Sequence, residues 1–239
     1  MKFWPSPLVV MGITAAVAVS LASCRAPQPR PAPPAPPIAA PTVPTAPGRS
    51  FHVVPAESEV RILVYRAGTL AKLGHNHVIT SHDLKGLITL PEDPTQASFE
   101  IVMPVATLAI DEPGKRTEEG ADFSAPVSDT ARDGTRRNMM KPEVLDGEHY
   151  PAVTVRSGKI TRAGDDFEVL FEVELRGERH ELKAPVHFAL EADRLAARGE
   201  LTFRQTDLGL TPFTAALGAL AIEDEVRLKF DIHAALSAL

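Results

Sequence analysis

The most conspicuous polar cluster in the sequence is Gly74-His75-Asn76-His77. If this segment is a β-strand, His75 and His77 project to one face about 6–7 Å apart, a spacing that suits zinc or copper. The fold would have to supply a third ligand, for which the candidates are His82, His149, His180 and His187. No HExxH motif, CxxC motif or second His-x-His strengthens a metal site. His75 and His77 are therefore weak metal candidates, and the alternatives are structural histidines or polar groups that orient a ligand.

Catalytic motifs are not visible in the sequence. It contains no Gly-x-Ser-x-Gly motif, no glycine-rich phosphate loop before a helix, and a single cysteine. The carboxylates of the alternating segments, such as Glu168, Glu172 and Glu174, have the pattern of a solvated strand face. We therefore predict a protein that is not an enzyme and has no cofactor.

The charge distribution argues against a nucleic-acid partner. The net charge of the chain is −6, and no block of Lys and Arg residues interleaved with aromatic residues occurs. Arg136, Arg137 and Lys141 form a small basic group that has the composition to meet a diphosphate. Exposed charge on a helix is the simpler interpretation of this group.

The N-terminal segment, residues 1–23, has the features of a secretory signal peptide. Lys2 precedes an apolar run from Leu8 to Leu21, and small residues follow directly before Cys24. The apolar run is short for a membrane-spanning helix. Because Cys24 is the sole cysteine, an intramolecular disulfide is excluded.

The sequence Leu21-Ala22-Ser23-Cys24 resembles the lipobox of bacterial lipoproteins, in which the cysteine becomes the lipidated N-terminus. The alternative is an ordinary signal peptide with a cysteine at this position. Two or more acyl chains on Cys24 would anchor the protein stably to a membrane. Arg25 follows the cysteine, where an aspartate would favour the inner membrane. The resemblance thus implies a periplasmic, lipid-anchored protein, with the outer membrane favoured.

Residues 24–50 are rich in proline and alanine and show no apolar periodicity. Such a composition cannot bury a core and favours extended polyproline II structure. We predict a tether over residues 24–50 and one folded domain over residues 51–239, which is long enough for a well-buried core.

The longest period-two pattern in the domain is Phe167–Glu191. Apolar and polar residues alternate over Phe167–Leu175 and again over Leu182–Leu190, on either side of a break at Arg176-Gly177-Glu178-Arg179. This pattern is typical of an antiparallel hairpin, with arms of roughly 30 Å at ~3.4 Å per residue. Strands of this length with one apolar face suit a curved sheet wrapped around a core or a cavity.

The rest of the domain also reads as antiparallel β-structure. Two short helices are predicted, at Ser128–Met140 with Ser128 or Asp129 as the cap, and at Pro212–Leu220, where an apolar face could close a barrel mouth. There is no βαβ rhythm, so we predict an all-β, antiparallel β-barrel of about eight strands with one or two short helices. Strand-like segments are Ser58–Arg66, His75–Thr80, Leu84–Leu90, Phe99–Val105, Val153–Val155, Lys159–Thr161, Leu195–Arg204 and Glu223–His233.

An eight-stranded barrel is just wide enough to be filled by side chains or to hold one slender ligand. Both a filled core and a hollow, ligand-binding interior are compatible with the pattern. The residues predicted to face inward are Val60, Ile62, Val64, Phe99, Ile101, Met103, Phe167, Val169, Phe171, Val173, Val186, Phe188, Leu201, Phe203, Leu228 and Phe230.

The order of several short motifs resembles the YceI-like family. The motifs are Arg137-Asn138-Met139-Met140 with His149-Tyr150-Pro151, Leu175–His180 followed by Leu182–Val186, Phe203–Leu210, and Ile222–Val226. This resemblance implies a lipocalin-like antiparallel barrel that binds a polyisoprenoid or a similar amphiphilic chain. The sequence departs from the family pattern in its polar insertion at Asp111–Asp133, in the histidines of Gly74–His77, and in Leu208, where an aromatic residue commonly stands.

From the residues and the resemblance we expect an envelope lipoprotein that binds an isoprenoid or quinone-like lipid inside the barrel. Polar groups near one mouth, His75, His77 and Arg137, are expected to hold the head group. Two other interpretations remain: a histidine-dependent metal-binding or redox-associated envelope protein, and a ligand-free structural barrel.

Overall fold

The computed structural model of the protein describes Met1 and residues 47–237. Except for Met1, the predicted signal peptide lies outside the described residues. Cys24 and most of the predicted tether also lie outside them. The first strand begins at Arg49, two residues before the predicted start of the domain at Phe51. None of the helices in the described part of the chain reaches the length and hydropathy of a membrane-spanning helix.

Antiparallel strands build almost the whole domain, and eight of them close into a barrel. The ring runs in the order β1-β4-β5-β7-β8-β9-β10-β12 and is completed by the pairing of β12 with β1. The predicted all-β antiparallel barrel is thus confirmed. The strands are β1 Arg49–Val53, β2 Glu59–Ala67, β3 His77–Ser81, β4 Lys85–Leu90, β5 Ser98–Pro104, β6 Ala109–Ile110, β7 Ala152–Ala163, β8 Asp166–Leu175, β9 Glu178–Glu191, β10 Arg194–Arg204, β11 Thr214–Ala215 and β12 Leu220–Leu236.

In the first part of the barrel wall the strands are interrupted, so the domain contains more strands than the eight that close the ring. The long strand β12 pairs with β1 near its C-terminus and with β2 from Ala221 to Asp231. Between β1 and β2, Pro55 begins a short 3-10 turn, because proline has no N–H to donate to a ladder. Ser58 closes the gap: its hydroxyl donates to the carbonyl of His233 at 3.1 Å and accepts from the His233 N–H at 3.0 Å.

The predicted hairpin is confirmed as β8 and β9, with a tighter connection than expected. Leu175 pairs with Glu178, so only Arg176 and Gly177 form the turn. Their φ angles are 51° and 74°, which are the positive values that a type I′ turn requires. The turn twists in the same sense as the strands, and β9 therefore begins four residues before the predicted restart at Leu182.

Two α-helices, α1 at Pro113–Glu118 and α2 at Asp129–Met139, lie in the polar segment between β6 and β7. The helix predicted at Ser128–Met140 is confirmed as α2, and the Ser128 hydroxyl accepts from the Ala131 N–H at 3.2 Å. This cap satisfies one of the N–H groups that a helix N-terminus leaves free.

The second predicted helix, Pro212–Leu220, is wrong. Ala216, Leu217 and Gly218 have φ angles of 50°, 55° and 85°, which no right-handed α-helix can contain. The segment instead forms β11 and a 3-10 turn before β12. Phe213 and Leu217 have helical spacing, but Phe213 faces the barrel interior and Leu217 is fully exposed, so the spacing does not reflect a common face.

The polar segment also covers the outside of the barrel next to β2 and β3. The outward side chains Leu63 and Val78 are buried beneath Phe123, whose ring also meets Tyr65 edge to face at 5.5 Å. This contact explains why the second face of β2 is unusually apolar. Arg61 on the same face donates to Glu119 at 2.6 Å and holds the end of α1 against the sheet.

Candidate functional site

The barrel interior contains a cavity of about 360 Å³. This volume lies within the range of small-molecule binding pockets. The interior is hollow, which does not agree with the filled core of the structural-barrel interpretation. The predicted inward-facing residues that line it are Val60, Ile62, Val64, Phe99, Ile101, Met103, Val169, Phe171, Val173, Val186, Leu201, Phe203, Leu228 and Phe230.

Phe167 and Phe188 are the exceptions: the prediction that they line the cavity is wrong. Both rings point inward, but they meet each other edge to face at 6.1 Å. They fill the space at the end of the barrel where β8 begins and β9 ends. We define the far end as the end with the two-residue connections at Gly164-Asp165 and Ala192-Asp193. A buried cluster there, which includes Phe51, closes the barrel; its other members are Ile88, Leu90, Leu195 and Ala234.

Three phenylalanines form the aromatic side of the cavity. The ring of Phe171 lies 5.9 Å from the rings of both Phe99 and Phe230. Phe230 pairs across the sheet with Gly199, and it occupies the space that a side chain at that position would need. The glycine therefore sets where the Phe230 ring lies and how wide the cavity is beside it.

The opposite end of the barrel, which we call the α2 end, carries the polar part of the lining. Strands β2, β5, β8 and β10 terminate there, and α2 lies in the connection that follows β6. The polar side chains of the lining come from β3, from α2 and from the segment after β10; they are His77, Thr135, Asn138, Gln205 and Thr211. A bound amphiphile would place its head group at the α2 end and its apolar chain toward the phenylalanines.

Four of these five polar residues were not predicted from the sequence, although two of them lie within motifs of the family resemblance and a third lies beside one. Asn138 belongs to the Arg137–Met140 motif, Gln205 to the Phe203–Leu210 motif, and Thr211 follows directly after the latter. Thr135 precedes Asn138 by three residues, a spacing that places both on one face of α2. This pair could have been predicted only by combining the helical period with the face of α2 that packs on the barrel.

The predicted polar rim is only partly present. His77 lines the cavity, whereas His75 lies outside the lining with its ring centroid 6.4 Å from that of His77. Arg137 is exposed and is not among the residues that line the cavity, so its assignment to the rim stays a prediction. On a helix, Arg137 cannot share the face that Thr135 and Asn138 present to the barrel, because neighbouring residues are about 100° apart.

A buried polar cluster holds His77 in place. Nδ1 of His77 lies 2.6 Å from Oδ2 of Asp111, which is fully buried. Oδ1 of Asp111 accepts from the Val78 N–H at 2.9 Å and from Nη1 of Arg116 at 2.6 Å. Arg116 also donates to the carbonyls of Asn76, at 2.6 Å, and Ala125, at 2.9 Å. One guanidinium therefore ties α1, β3 and the Asp111 carboxylate together.

This cluster fixes the charge state of Asp111. Burial alone would raise the pKa of Asp111, but hydrogen bonds from His77, Val78 and Arg116 outweigh it and hold the pKa below its ordinary value. The pKa of His75 is also lowered, first by burial and then by the nearby His77 and Arg116. The α2 end thus combines an ionised, buried carboxylate with two imidazoles in different environments.

The histidines do not assemble into a metal site. Within residues 47–237, no three His, Cys, Asp or Glu side chains are grouped in a way that could hold a metal ion. The candidate third ligands each have an acidic neighbour instead, with nitrogen–oxygen distances of 3.0 Å for His82 and Glu112 and 2.8 Å for His149 and Asp146. His187 contacts Asp166 at 2.8 Å, and His180 lies 3.9 Å from Glu178.

The closed ring of strands and its apolar cavity define a hollow, lipocalin-like antiparallel barrel. The chain belongs to the family with a YceI-like domain, whose model matches residues 51–234. The expected membership is thereby confirmed, and the family motifs contribute to the α2 end of the cavity through residues such as Asn138, Leu208 and Val226.

Among solved structures, BcnA of Burkholderia cenocepacia is similar to this chain, with a TM-score of 0.54 and 16% identity over 76% of this chain and 98% of BcnA. At this identity the likeness concerns the fold alone. The Campylobacter jejuni YCEI protein is similar with a TM-score of 0.48 and 8% identity, over 67% of this chain and 85% of that protein. None of the curated proteins matches the sequence.

Proposed function

We propose that this protein is an envelope lipoprotein that holds the apolar chain of an isoprenoid-type or quinone-like lipid inside its barrel, for sequestration or transport. The observation that carries the proposal is the cavity of about 360 Å³ with an almost wholly apolar lining. Each methylene group transferred from water into such a lining stabilises binding by about 0.8 kcal/mol. A long prenyl chain therefore needs few polar contacts to bind.

The cost of leaving the cavity empty supports the same proposal. Side chains around an unfilled apolar space lose dispersion contacts, and a void of this size would cost several kcal/mol of stability. Among residues 47–237, the lining contains no carboxylate and no Lys or Arg side chain, so a charged group finds no counter-ion among them. A ligand with an apolar body and an uncharged or externally placed head group is the best match.

The membrane attachment is a proposal from the sequence. Cys24 follows a lipobox-like Leu-Ala-Ser, and Arg25 in the next position favours the outer membrane. The proposed location is the periplasmic side of the cell envelope, where a lipid anchor would keep the barrel close to a source of lipid ligand.

The test uses the full chain with its own signal sequence and a Cys24→Ser substitution, so that the exported protein can be purified without detergent. Native mass spectrometry followed by denaturation should release a prenyl lipid or quinone in near one-to-one amount. Two further variants locate the site: Leu228→Trp, which fills the cavity, and Arg227→Trp, its exposed neighbour on the outer face of β12.

We expect Leu228→Trp to lower the amount of bound lipid about tenfold or more, because the indole occupies the volume of the chain. Arg227→Trp should bind like the parent. If both variants retained the lipid equally, the ligand would lie outside the barrel and the proposal would be wrong. The proposal would also fail if the parent carried no lipid and bound none when isoprenoid alcohols were added.

A further inference from the structure

We propose that Nε2 of His77 accepts a hydrogen bond from a hydroxyl group on the head of the bound lipid. The barrel would then select hydroxyl-headed chains, such as prenols, prenylated phenols or quinols, over chains whose heads have only acceptors, such as quinones or ethers. This inference rests on the proposed function and specifies the ligand class of the same cavity.

The contact with Asp111 determines which nitrogen of the His77 ring carries the proton. Both oxygens of Asp111 are occupied as acceptors, by His77 on one side and by Val78 and Arg116 on the other. An ionised carboxylate can only accept, so Nδ1 of His77 must be the nitrogen that carries the proton in this contact. In the neutral imidazole, Nε2 is then an acceptor with a free lone pair.

The Nε2 lone pair of His77 is available to a ligand in the cavity. His77 lines the cavity, and 16% of its side chain is exposed. Among the residues that the structure describes, none forms a hydrogen bond with Nε2. A buried or partly buried acceptor without a partner favours a ligand that brings a donor.

Gln205, which lies in the segment after β10, supports the same preference. Its Nε2 donates to the carbonyl of Glu223 at 2.7 Å, which orients the amide and leaves Oε1 without a partner in the described part of the chain. The side chain is only 8% exposed and lines the cavity. The His77 imidazole and the Gln205 amide thus each present an unpaired acceptor atom to the cavity.

Strand register places both groups at the same end of the barrel. His77 pairs with Val64, which pairs with Val226, and Val226 pairs with Phe203. These four residues form one row across β3, β2, β12 and β10, and Gln205 follows Phe203 by two residues toward the α2 end. A hydroxyl at the α2 end can donate to one of these acceptors, whereas a carbonyl or ether oxygen brings no donor and leaves both of them unpaired.

The test compares geranylgeraniol with its methyl ether, which has the same prenyl chain but no O–H group. Each compound displaces the fluorophore N-phenyl-1-naphthylamine from the unlipidated full chain at about pH 8. The quantity of interest is the ratio of the two dissociation constants, ether over alcohol. It is measured in the parent protein, in His77→Phe and in His75→Phe, the matched control outside the lining.

We expect the ratio in the parent to exceed that in His77→Phe about fivefold to tenfold, the effect of one hydrogen bond to an otherwise unpaired group. His75→Phe should keep the parent ratio. Equal ratios in the parent and His77→Phe would overturn the inference but leave the proposed function intact. If neither compound displaced the fluorophore from the parent, the proposed function itself would fail.

A measurement on the unsubstituted ring covers the case in which His77→Phe does not fold. The ¹⁵N NMR signals of His77 should show a protonated Nδ1 and a bare Nε2, and geranylgeraniol, but not its ether, should shift the Nε2 signal. A bare Nδ1, or an identical response to both compounds, would overturn the inference.

Discussion

The ring of Phe230 lies directly over Gly199, its cross-strand partner on β10. A Cβ at position 199 would be 2.4 Å from Cζ of Phe230 and 2.6 Å from the carbonyl oxygen of Pro185. Backbone on one side and an aromatic ring on the other leave no room for a methyl group. We therefore expect Gly199→Ala to lower the free energy of unfolding by about 1–3 kcal/mol, the usual cost of overpacking.

The same substitution should also weaken lipid binding, because a Cβ at position 199 would displace the Phe230 ring, which lines the cavity. Chemical denaturation and fluorophore titration measure the two effects separately. Gly114→Ala in α1 is the control, since a Cβ there has no neighbour within 4 Å. Unchanged stability and binding in Gly199→Ala would show that the Phe230 ring is not confined by the glycine.

The hairpin turn provides a second test of backbone conformation. Gly177 has a φ angle of 74°, and a Cβ there would lie 3.1 Å from Cε1 of Tyr150. A left-handed conformation costs a non-glycine residue about 1–2 kcal/mol, so Gly177→Ala should destabilise the barrel by at least this amount. Gly134→Ala in the middle of α2 should have the opposite sign, because alanine is the better helix former there. Thermal or chemical unfolding that ranked the two variants in the reverse order would contradict the assigned turn.

The fold could be predicted because its signal is local. Over Phe167–Leu175 and Leu182–Leu190, the alternation follows directly from strand geometry, and it also gave the inward phase of most lining residues. Segment Pro212–Leu220 shows the limit of this reasoning: its apolar spacing is helical, but the φ angles at Ala216, Leu217 and Gly218 are set by the connection to β12.

The site could be predicted only in its apolar part. Phe167 and Phe188 face inward but fill the far end of the barrel instead of lining the cavity. Which inward residues do so depends on where the barrel narrows, and no local sequence pattern encodes this. The partner of His77 is 34 residues away in sequence, at Asp111, inside a segment that reads as a solvated polar insertion. Its burial follows from contacts with α1 and Arg116, which only the assembled fold brings together.

The predicted lipid anchor leads to a test of location. We expect the parent protein to be recovered with membranes and to partition into detergent, because two or more acyl chains anchor a protein stably. Cys24→Ser should move it to the soluble periplasmic fraction if the signal peptide is still removed. The control is Ser23→Ala, which keeps a small residue before the cysteine. A Cys24→Ser protein that stayed with the membranes would show that some other part of the chain holds it there.

The buried Asp111–Arg116 pair predicts how stability depends on pH. Asp111→Asn removes the countercharge of Arg116, which is only 6% exposed. Breaking such a buried pair costs about 3–5 kcal/mol. We expect a loss of this size near neutral pH in chemical denaturation. Asp166→Asn is the control: its partner His187 is exposed, so the loss should stay below about 1 kcal/mol.

Acidification should reduce the difference in the free energy of unfolding between the parent and Asp111→Asn. The pKa of Asp111 is lower in the folded protein than its ordinary value of 3.8, so folding favours the ionised form. This stabilisation is complete above the ordinary pKa and is lost as the pH falls through the lowered folded value. Other carboxylates with lowered pKa values, such as Glu59 and Glu119, are present in both proteins and cancel in the comparison. A difference in unfolding free energy that stayed constant from about pH 7 to about pH 2 would mean that folding does not lower the pKa of Asp111.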